Sequence, residues 1–321
     1  MTLTDTNRAA AAATKPSVFV DGASGTTGLQ IGERLARQND VVVKSIAEDK
    51  RKDAGAKRAL MEEVDLVILC LPDQAARETV ALIDGMGNAA PRVLDASTAF
   101  RVAPDWTYGF PELAPRQADK IRHARKVSNP GCYPTGGIAL LRPLVDAGLM
   151  PADYPVTVNA VSGYSGGGKS MIADFEGGTA PAFELYGLGF EHKHLPEMQL
   201  YAKLTRRPIF IPSVGNFRQG MLVSVPLQLD TLKGKPKGSD LHAALAERYA
   251  GSSYVSVMPM ESAMTKLEPE ALNETNKLEL YVFASDKHQQ AVLVARLDNL
   301  GKGASGAAVQ NMRLMLGLPE V

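Results

Sequence analysis

A β-branched and aromatic run, Ser17-Val18-Phe19-Val20, stops at Asp21-Gly22, and the chain continues Gly22-Ala23-Ser24-Gly25-Thr26-Thr27-Gly28. Apolar residues then recur at roughly helical spacing: Leu29, Ile31, Leu35 and Ala36. A strand, a glycine turn and a helix in that order restrict the fold strongly. Glycines three apart let the backbone turn tightly and bring a helix N-terminus close to an anionic pyrophosphate. The spacing is G-x-x-G-x-x-G rather than G-x-G-x-x-G, and its position between strand and helix carries the expectation of a dinucleotide site. Gly22, Ser24, Gly25, Thr26, Thr27 and Gly28 are its candidate residues.

The same alternation continues. Strands are predicted at 41–43, 66–71 and 92–95, with a charged helix from about 48 to 63 and another near 74–84. Strands separated by helices of this length indicate a parallel sheet covered on both faces. After about residue 130 the pattern changes to longer alternating runs at 156–161, 220–229, 277–284 and 290–297, which predict a largely antiparallel sheet. A chain of 321 residues has room for two such domains.

The end of the second strand carries no acid for a ribose 2′-hydroxyl. It runs Val43-Lys44-Ser45-Ile46, with Lys50-Arg51-Lys52 after it, so Ser45 and Arg51 suit a 2′-phosphate and point to NADP(H). Ser97, beyond the strand at 92–95, and Gly303, in the glycine-rich stretch 301–306, are further cofactor candidates. The latter stretch opens a last helix with Ala307, Ala308, Met312, Met315 and Leu316 at its apolar positions.

Lys plus Arg and Asp plus Glu number 35 each, so there is no net charge to draw a nucleic acid. The apolar runs are interrupted well before the roughly 20 residues needed to span a bilayer. Residues 1–15 lack the basic start and apolar stretch of a secretory signal, so a disordered leader and a cytoplasmic protein are expected.

With two cysteines there is neither a disulfide framework nor a clustered metal site, and no metal is expected. Cys70 falls in an apolar strand, where it should pack as a small core residue with a raised pKa. Cys132, in Ser128-Asn129-Pro130-Gly131-Cys132-Tyr133-Pro134-Thr135, stands just before an apolar run of helical length. A helix start favours the thiolate and offers free N–H groups to an oxyanion, which are the conditions for a nucleophile. His192 and His194 are two apart on a segment that Pro196 keeps from being one helix, so both can reach a shared site.

Together the glycine loop, S-N-P-G-C-Y-P-T, His192-Lys193-His194-Leu195-Pro196-Glu197 and Gly-Lys-Gly-Ala-Ser-Gly at 301–306 resemble the short form of the N-acetyl-γ-glutamyl-phosphate reductases. The aspartate-semialdehyde dehydrogenases, which share the fold, are the alternative. The resemblance implies an NADP-dependent phosphorylating oxidoreductase of arginine biosynthesis that takes an acyl phosphate and releases inorganic phosphate. It implies Cys132 as nucleophile, His194 as acid/base, Glu197 as the carboxylate orienting it, and His192 and Tyr186 as neighbours of substrate or cofactor. Arg101, with Arg218 second, is the candidate for the phosphate. The resemblance also places the last helix in the nucleotide domain (16–130 plus 300–321), with a catalytic and oligomerisation domain inserted (131–299). It implies a homotetramer.

Gly163-Tyr164-Ser165-Gly166-Gly167-Gly168-Lys169-Ser170 satisfies the P-loop pattern G-x-x-x-x-G-K-[ST]. A P-loop protein needs a sizeable helix after the loop, and here Gly177-Gly178 follows within a few residues. The glycines are expected to bring backbone near Cys132 instead, with Ser165 and Lys169 near substrate.

Overall fold

The computed structural model describes residues 15–320 apart from 52, 262 and 263, so the leader expected at 1–15 lies almost wholly outside the described residues. The first half builds a six-stranded sheet from β1 (Ser17–Asp21), β2 (Val42–Lys44), β3 (Leu66–Leu69), β4 (Arg92–Asp95), β5 (Thr107–Tyr108) and β6 (Lys126–Ser128). Their order is β2-β1-β3-β4-β6-β5, and each neighbouring pair is parallel. The intervening helices are α1 (Thr26–Ala36), α2 (Ala54–Glu62), α3 (Asp73–Asp84) and α4 (Gln117–His123).

Ile31 and Leu35 carry the buried face of α1, and each contributes about 1.5–3 kcal/mol by leaving water. Leu29, expected on that face, is instead exposed, since the buried stripe runs through Gly28, Ile31 and Leu35. The charged helix expected over 48–63 is also interrupted. A short turn at Glu48–Lys50 precedes α2, and Asp53 caps α2 by accepting from the Ala56 N–H at 2.7 Å.

Register matters for function because Asp21, Leu69, Asp95 and Ser128 lie in line across β1, β3, β4 and β6. The loops that follow these strands therefore emerge together at the carboxyl edge. The strand order reverses beside β1, and in open α/β sheets that crevice is where ligands bind.

The second half contains α5 (Cys132–Asp146), β7 (Thr157–Gly163), α6 (Gly168–Glu176), β8 (Phe183–Leu185), α7 (Leu195–Tyr201) and β9 (Ile209–Gly215). It continues with β10 (Met221–Gln228), α8 (Gly238–Tyr249), β11 (Val255–Val257), β12 (Leu278–Ser285), β13 (Gln290–Leu297) and α9 (Gly306–Met315). The seven strands order as β11-β12-β13-β10-β7-β9-β8. The pairs β11–β12 and β7–β9 are parallel and the other four antiparallel, so the sheet is mixed.

α5 packs its apolar length into the core of this sheet among Val223, Leu293 and Ala295. Pro143 inside α5 cannot donate to the carbonyl of Ala139, and the Tyr249 hydroxyl donates to it instead at 2.9 Å. Ala308, Met312 and Met315 of α9 pack with Val18, Ile31 and Leu66 of the parallel-sheet core. Among the described residues no helix is long and apolar enough to cross a membrane.

Candidate active site

Cys132 is the first residue of α5, with Gly131 as an extended N-cap that offers no side chain to the open turn. Pro134 falls in the first turn, where a missing N–H costs nothing. The thiol is free and half-buried. Burial pushes it above its ordinary range, against the opposing pull of Arg101, the Tyr133 N–H and Lys193. In the free protein burial thus favours the thiol over the thiolate. Cys70 follows β3, which ends at Leu69 rather than 71. It is half-buried, and burial followed by the nearby Asp95 and Asp21 carboxylates pushes it up to about 12.

Cys132 lines a cavity of about 430 Å3 between the two sheets. The loops after β1, β3, β4 and β6 form one side through Thr26, Thr27, Pro72, Ser97 and Asn129. The other side is formed by Ser162, Ser165, Tyr186, His192 and His194. A larger groove of about 760 Å3 lies elsewhere, over the outer face of the mixed sheet, and is lined by Val161, Leu222, Phe283 and Val294 without any cysteine or histidine. Its lining suits contact with protein rather than chemistry.

His194 caps the start of α7 and is buried. Burial, then the positive charges of Arg101 and Lys193 and the neighbouring His192, hold it well below its ordinary pKa, so it is a neutral imidazole. His192 packs edge-on against it at 4.9 Å and accepts from the His194 N–H through Nδ1 at 3.2 Å. Burial lowers His192 to about 4.

Glu197 makes no hydrogen bond to His194, whose Nδ1 is buried without a partner among the described residues. The carboxylate is 1% exposed and is fully engaged elsewhere. Oε1 accepts from the Gly131 N–H and from the Tyr108 hydroxyl, each at 2.7 Å, while Oε2 meets Arg101 Nη1 at 3.2 Å. One turn into α7, Glu197 projects toward the start of α5, three residues beyond His194.

Arg101 reaches the cavity and is nine-tenths buried. Arg218 does not, because its exposed guanidinium pairs with Glu176. Lys169 is exposed on α6 and is not among the cavity residues, whereas Ser165 is buried there and accepts from Asn299 Nδ2 at 3.0 Å. The helix after the P-loop-like sequence is only nine residues long. Tyr186 lines the cavity, and its hydroxyl donates to that of Tyr133, which donates to the Ser213 carbonyl. Among the described residues no group of three or more His, Cys, Asp or Glu side chains could hold a metal.

The glycine loop fits a dinucleotide. Gly22 takes φ +88°, and a Cβ there would lie 2.3 Å from the Cys70 carbonyl oxygen; one on Gly28 would lie 2.3 Å from that of Gly22. Gly25 caps α1 without a side-chain bond, leaving first-turn N–H groups for an anion. Ser24 is exposed, as are Ser45 and Arg51 beyond β2, where Arg51 pairs with Glu48. Gly303 lies so close to Cys132 that a Cβ would come within 2.8 Å of the cysteine Cβ.

Residues 17–121 match the semialdehyde dehydrogenase NAD-binding domain and 132–299 the semialdehyde dehydrogenase dimerisation domain. A protein of Chelativorans sp. (strain BNC1) named N-acetyl-gamma-glutamyl-phosphate reductase is 55% identical over 93% of this chain and 97% of its own. One of the same name from Brucella ovis is 54% identical over 94% and 99%. The chain belongs to the N-acetyl-γ-glutamyl-phosphate reductase family. The chain shares its fold with aspartate semialdehyde dehydrogenase II of Vibrio cholerae in complex with ASA. That structure aligns at TM-score 0.70 with 16% identity, over 94% of this chain and 98% of its own. The Candida albicans aspartate semialdehyde dehydrogenase with NADP aligns at 0.62 with 13% identity, over 94% and 98%. The chain is an oxidoreductase with a nicotinamide cofactor.

Several residues that build the site have partners that the sequence does not disclose. Tyr108 comes from a two-residue strand. Asn129 is tied by Nδ2 to the Ala304 carbonyl at 2.9 Å, which joins the cysteine loop to the 301–305 turn. Buried Lys302 anchors that turn on Glu112 and Gln310. Lys193 could have been singled out, since it stands between the two histidines.

Proposed function

We propose that this chain reduces N-acetyl-L-glutamyl 5-phosphate to N-acetyl-L-glutamate 5-semialdehyde with NADPH, releasing phosphate through a thioester on Cys132, as a step of arginine biosynthesis. The reading rests on kinship with reductases of that name and on one observation. A single cavity joins the half-buried Cys132 to the dinucleotide-binding edge on one side and to a buried neutral His194 on the other.

The resting pair is a thiol and an imidazole, so His194 is the base that takes the Sγ proton as sulfur attacks the acyl carbon. The C–O bond to phosphate breaks, and the proton passes through His194 to the leaving phosphate. The nicotinamide cofactor supplies the hydride that reduces the thioester. N–H groups in the first turn of α5 hold the oxyanion of the tetrahedral species on Cys132. Its collapse breaks the C–S bond, releases the aldehyde, and lets Sγ regain a proton from solvent.

In this reading Gly22, Gly25, Thr26, Thr27, Gly28, Ser97 and Gly303 hold the dinucleotide, with Ser24, Ser45 and Arg51 toward its adenosine end. Arg101, Ser165 and Tyr186 line the substrate side, His192 seats His194, and Glu197 is a positioning residue. Residues 16–130 plus 300–321 form the cofactor domain, a division supported by the packing of α9 against β1 and α1. Residues 131–299 form the catalytic and oligomerisation domain. The apolar groove on the mixed sheet supports assembly into a homotetramer in the cytoplasm.

The test follows nicotinamide absorbance in the oxidative direction with NADP, phosphate and either N-acetylglutamate semialdehyde or aspartate semialdehyde. Turnover of the acetylated substrate is expected, lost in Cys132→Ser. Turnover of aspartate semialdehyde alone would replace the substrate.

A further inference from the structure

An acyl phosphate brings an anion to the reacting carbon, so the cavity needs a cation that is free to meet it. Three residues that line it carry formal charge: Asp73, Arg101 and Lys193. Asp73 is turned toward the cofactor edge and accepts from the Thr98 N–H and hydroxyl. Arg101 is held in place, since Nη1 is paired with Glu197 and Nη2 donates to the Ala96 carbonyl at 3.4 Å, while its buried Nε has no partner among the described residues. Its charge is offset by a carboxylate that water does not reach, which weakens its pull on a second anion.

Lys193 is different. It is exposed at the cavity wall and makes no ion pair or side-chain hydrogen bond among the described residues. It stands between His192 and His194, and its charge is felt at Cys132 and at both imidazoles. A cation near the nucleophile and the base is near the bond that breaks. The substrate carboxylate, at the other end of a glutamyl chain, lies several bonds from that point.

We propose that Lys193 binds the phosphoryl group of the acyl phosphate, and the inorganic phosphate that leaves it. The assignment rests on the reductase reading above, and the arrangement is a flexible ammonium that follows the group as it departs. Arg101, clamped by Glu197, then serves as fixed positive field beside the thiol and not as the sole phosphate ligand.

Inorganic phosphate is the probe, and the whole chain is used. Iodoacetamide inactivation through Cys132 is measured against phosphate concentration in wild type, Lys193→Met and Lys193→Arg. The readout is the phosphate concentration giving half-protection, which is separate from any change in the intrinsic rate of the thiol. Wild type is expected to be protected saturably. Lys193→Met should need roughly tenfold more phosphate, and Lys193→Arg should recover most of the loss. In turnover, the KM for phosphate should rise in Lys193→Met while that for the semialdehyde stays unchanged. Equal protection of wild type and Lys193→Met would overturn the proposal, as would a KM increase confined to the semialdehyde, which would place the lysine on the distant carboxylate. Lysine-dependent protection of a protein that turns over neither semialdehyde would retain the anion site and reject the reductase reading.

Discussion

The N–H of Gly131 donates to Glu197 Oε1 at 2.7 Å, binding the carboxylate of α7 to the residue directly before the nucleophile. The same carboxylate takes the Tyr108 hydroxyl and one arm of Arg101. Three segments that are distant in the chain are thereby fixed around Cys132 by one buried side chain. In the proposed reaction its work is to set where the thiol and the guanidinium stand, while His194 is left to exchange protons with the reactants.

Glu197→Ala should leave a peptide N–H, a phenol and a guanidinium buried without an acceptor. A loss of about 3–5 kcal/mol is expected, seen as a much lower melting temperature. Glu197→Gln keeps an oxygen for Gly131 and Tyr108 but not the charge that holds Arg101. It should fold, with kcat reduced roughly a hundredfold by misplacement of the reacting groups. Wild-type kcat in the glutamine variant would show that Arg101 needs no fixing.

Gly131 has φ −75° and ψ 152°, a conformation open to any residue, so Gly131→Ala tests space and not backbone strain. The added Cβ would lie 2.6 Å from Arg101 Nη1 and 2.7 Å from His194 Nε2. The variant should lose about 1–3 kcal/mol of stability through crowding and lose kcat/KM by roughly a hundredfold. A fully active alanine variant would mean that both side chains can withdraw without consequence.

The parts of this arrangement that were legible in the sequence are those governed by neighbours in the chain. The strand, glycine loop and helix over 17–36 follow from local periodicity, and Cys132 at a helix start follows from the glycine before it and the apolar run after it. Glu197 shows the limit. Its partners Gly131, Tyr108 and Arg101 lie 66, 89 and 96 residues away, so the spacing of His194 and Glu197 could not disclose them. Likewise Arg218 is a candidate by its sequence, but its side chain turns out to Glu176, while its backbone packs so closely on Gly163 that a Cβ there would meet it at 2.6 Å. The edge strand β8 and α7 are not legible in the sequence because they are only three and seven residues long.

Asp95 ends β4 fully buried, with Oδ2 accepting from the Ser97 hydroxyl at 2.7 Å and Oδ1 without a partner among the described residues. Burial raises it to about 6, opposed by Ser97 and Arg101. Between its unfolded value and about 6 the folded state holds the extra proton, so stability falls as pH rises through that window. Asp95→Asn removes the ionisation and should stabilise the fold at pH 8 by roughly 3 kcal/mol, with the gain vanishing below pH ~4. Melting curves across this range check it, and an asparagine variant less stable than wild type at pH 8 would argue for a needed carboxylate.

The central claim is that Cys132 carries the acyl group. With N-acetylglutamate semialdehyde and NADP but no phosphate, the oxidative half-reaction should stop at the thioester. A rapid burst of one NADPH per chain is then expected, with an acyl adduct on the peptide containing Cys132 in the mass spectrum and its release on adding phosphate. No burst, or a burst that persists in Cys132→Ser, would contradict the account.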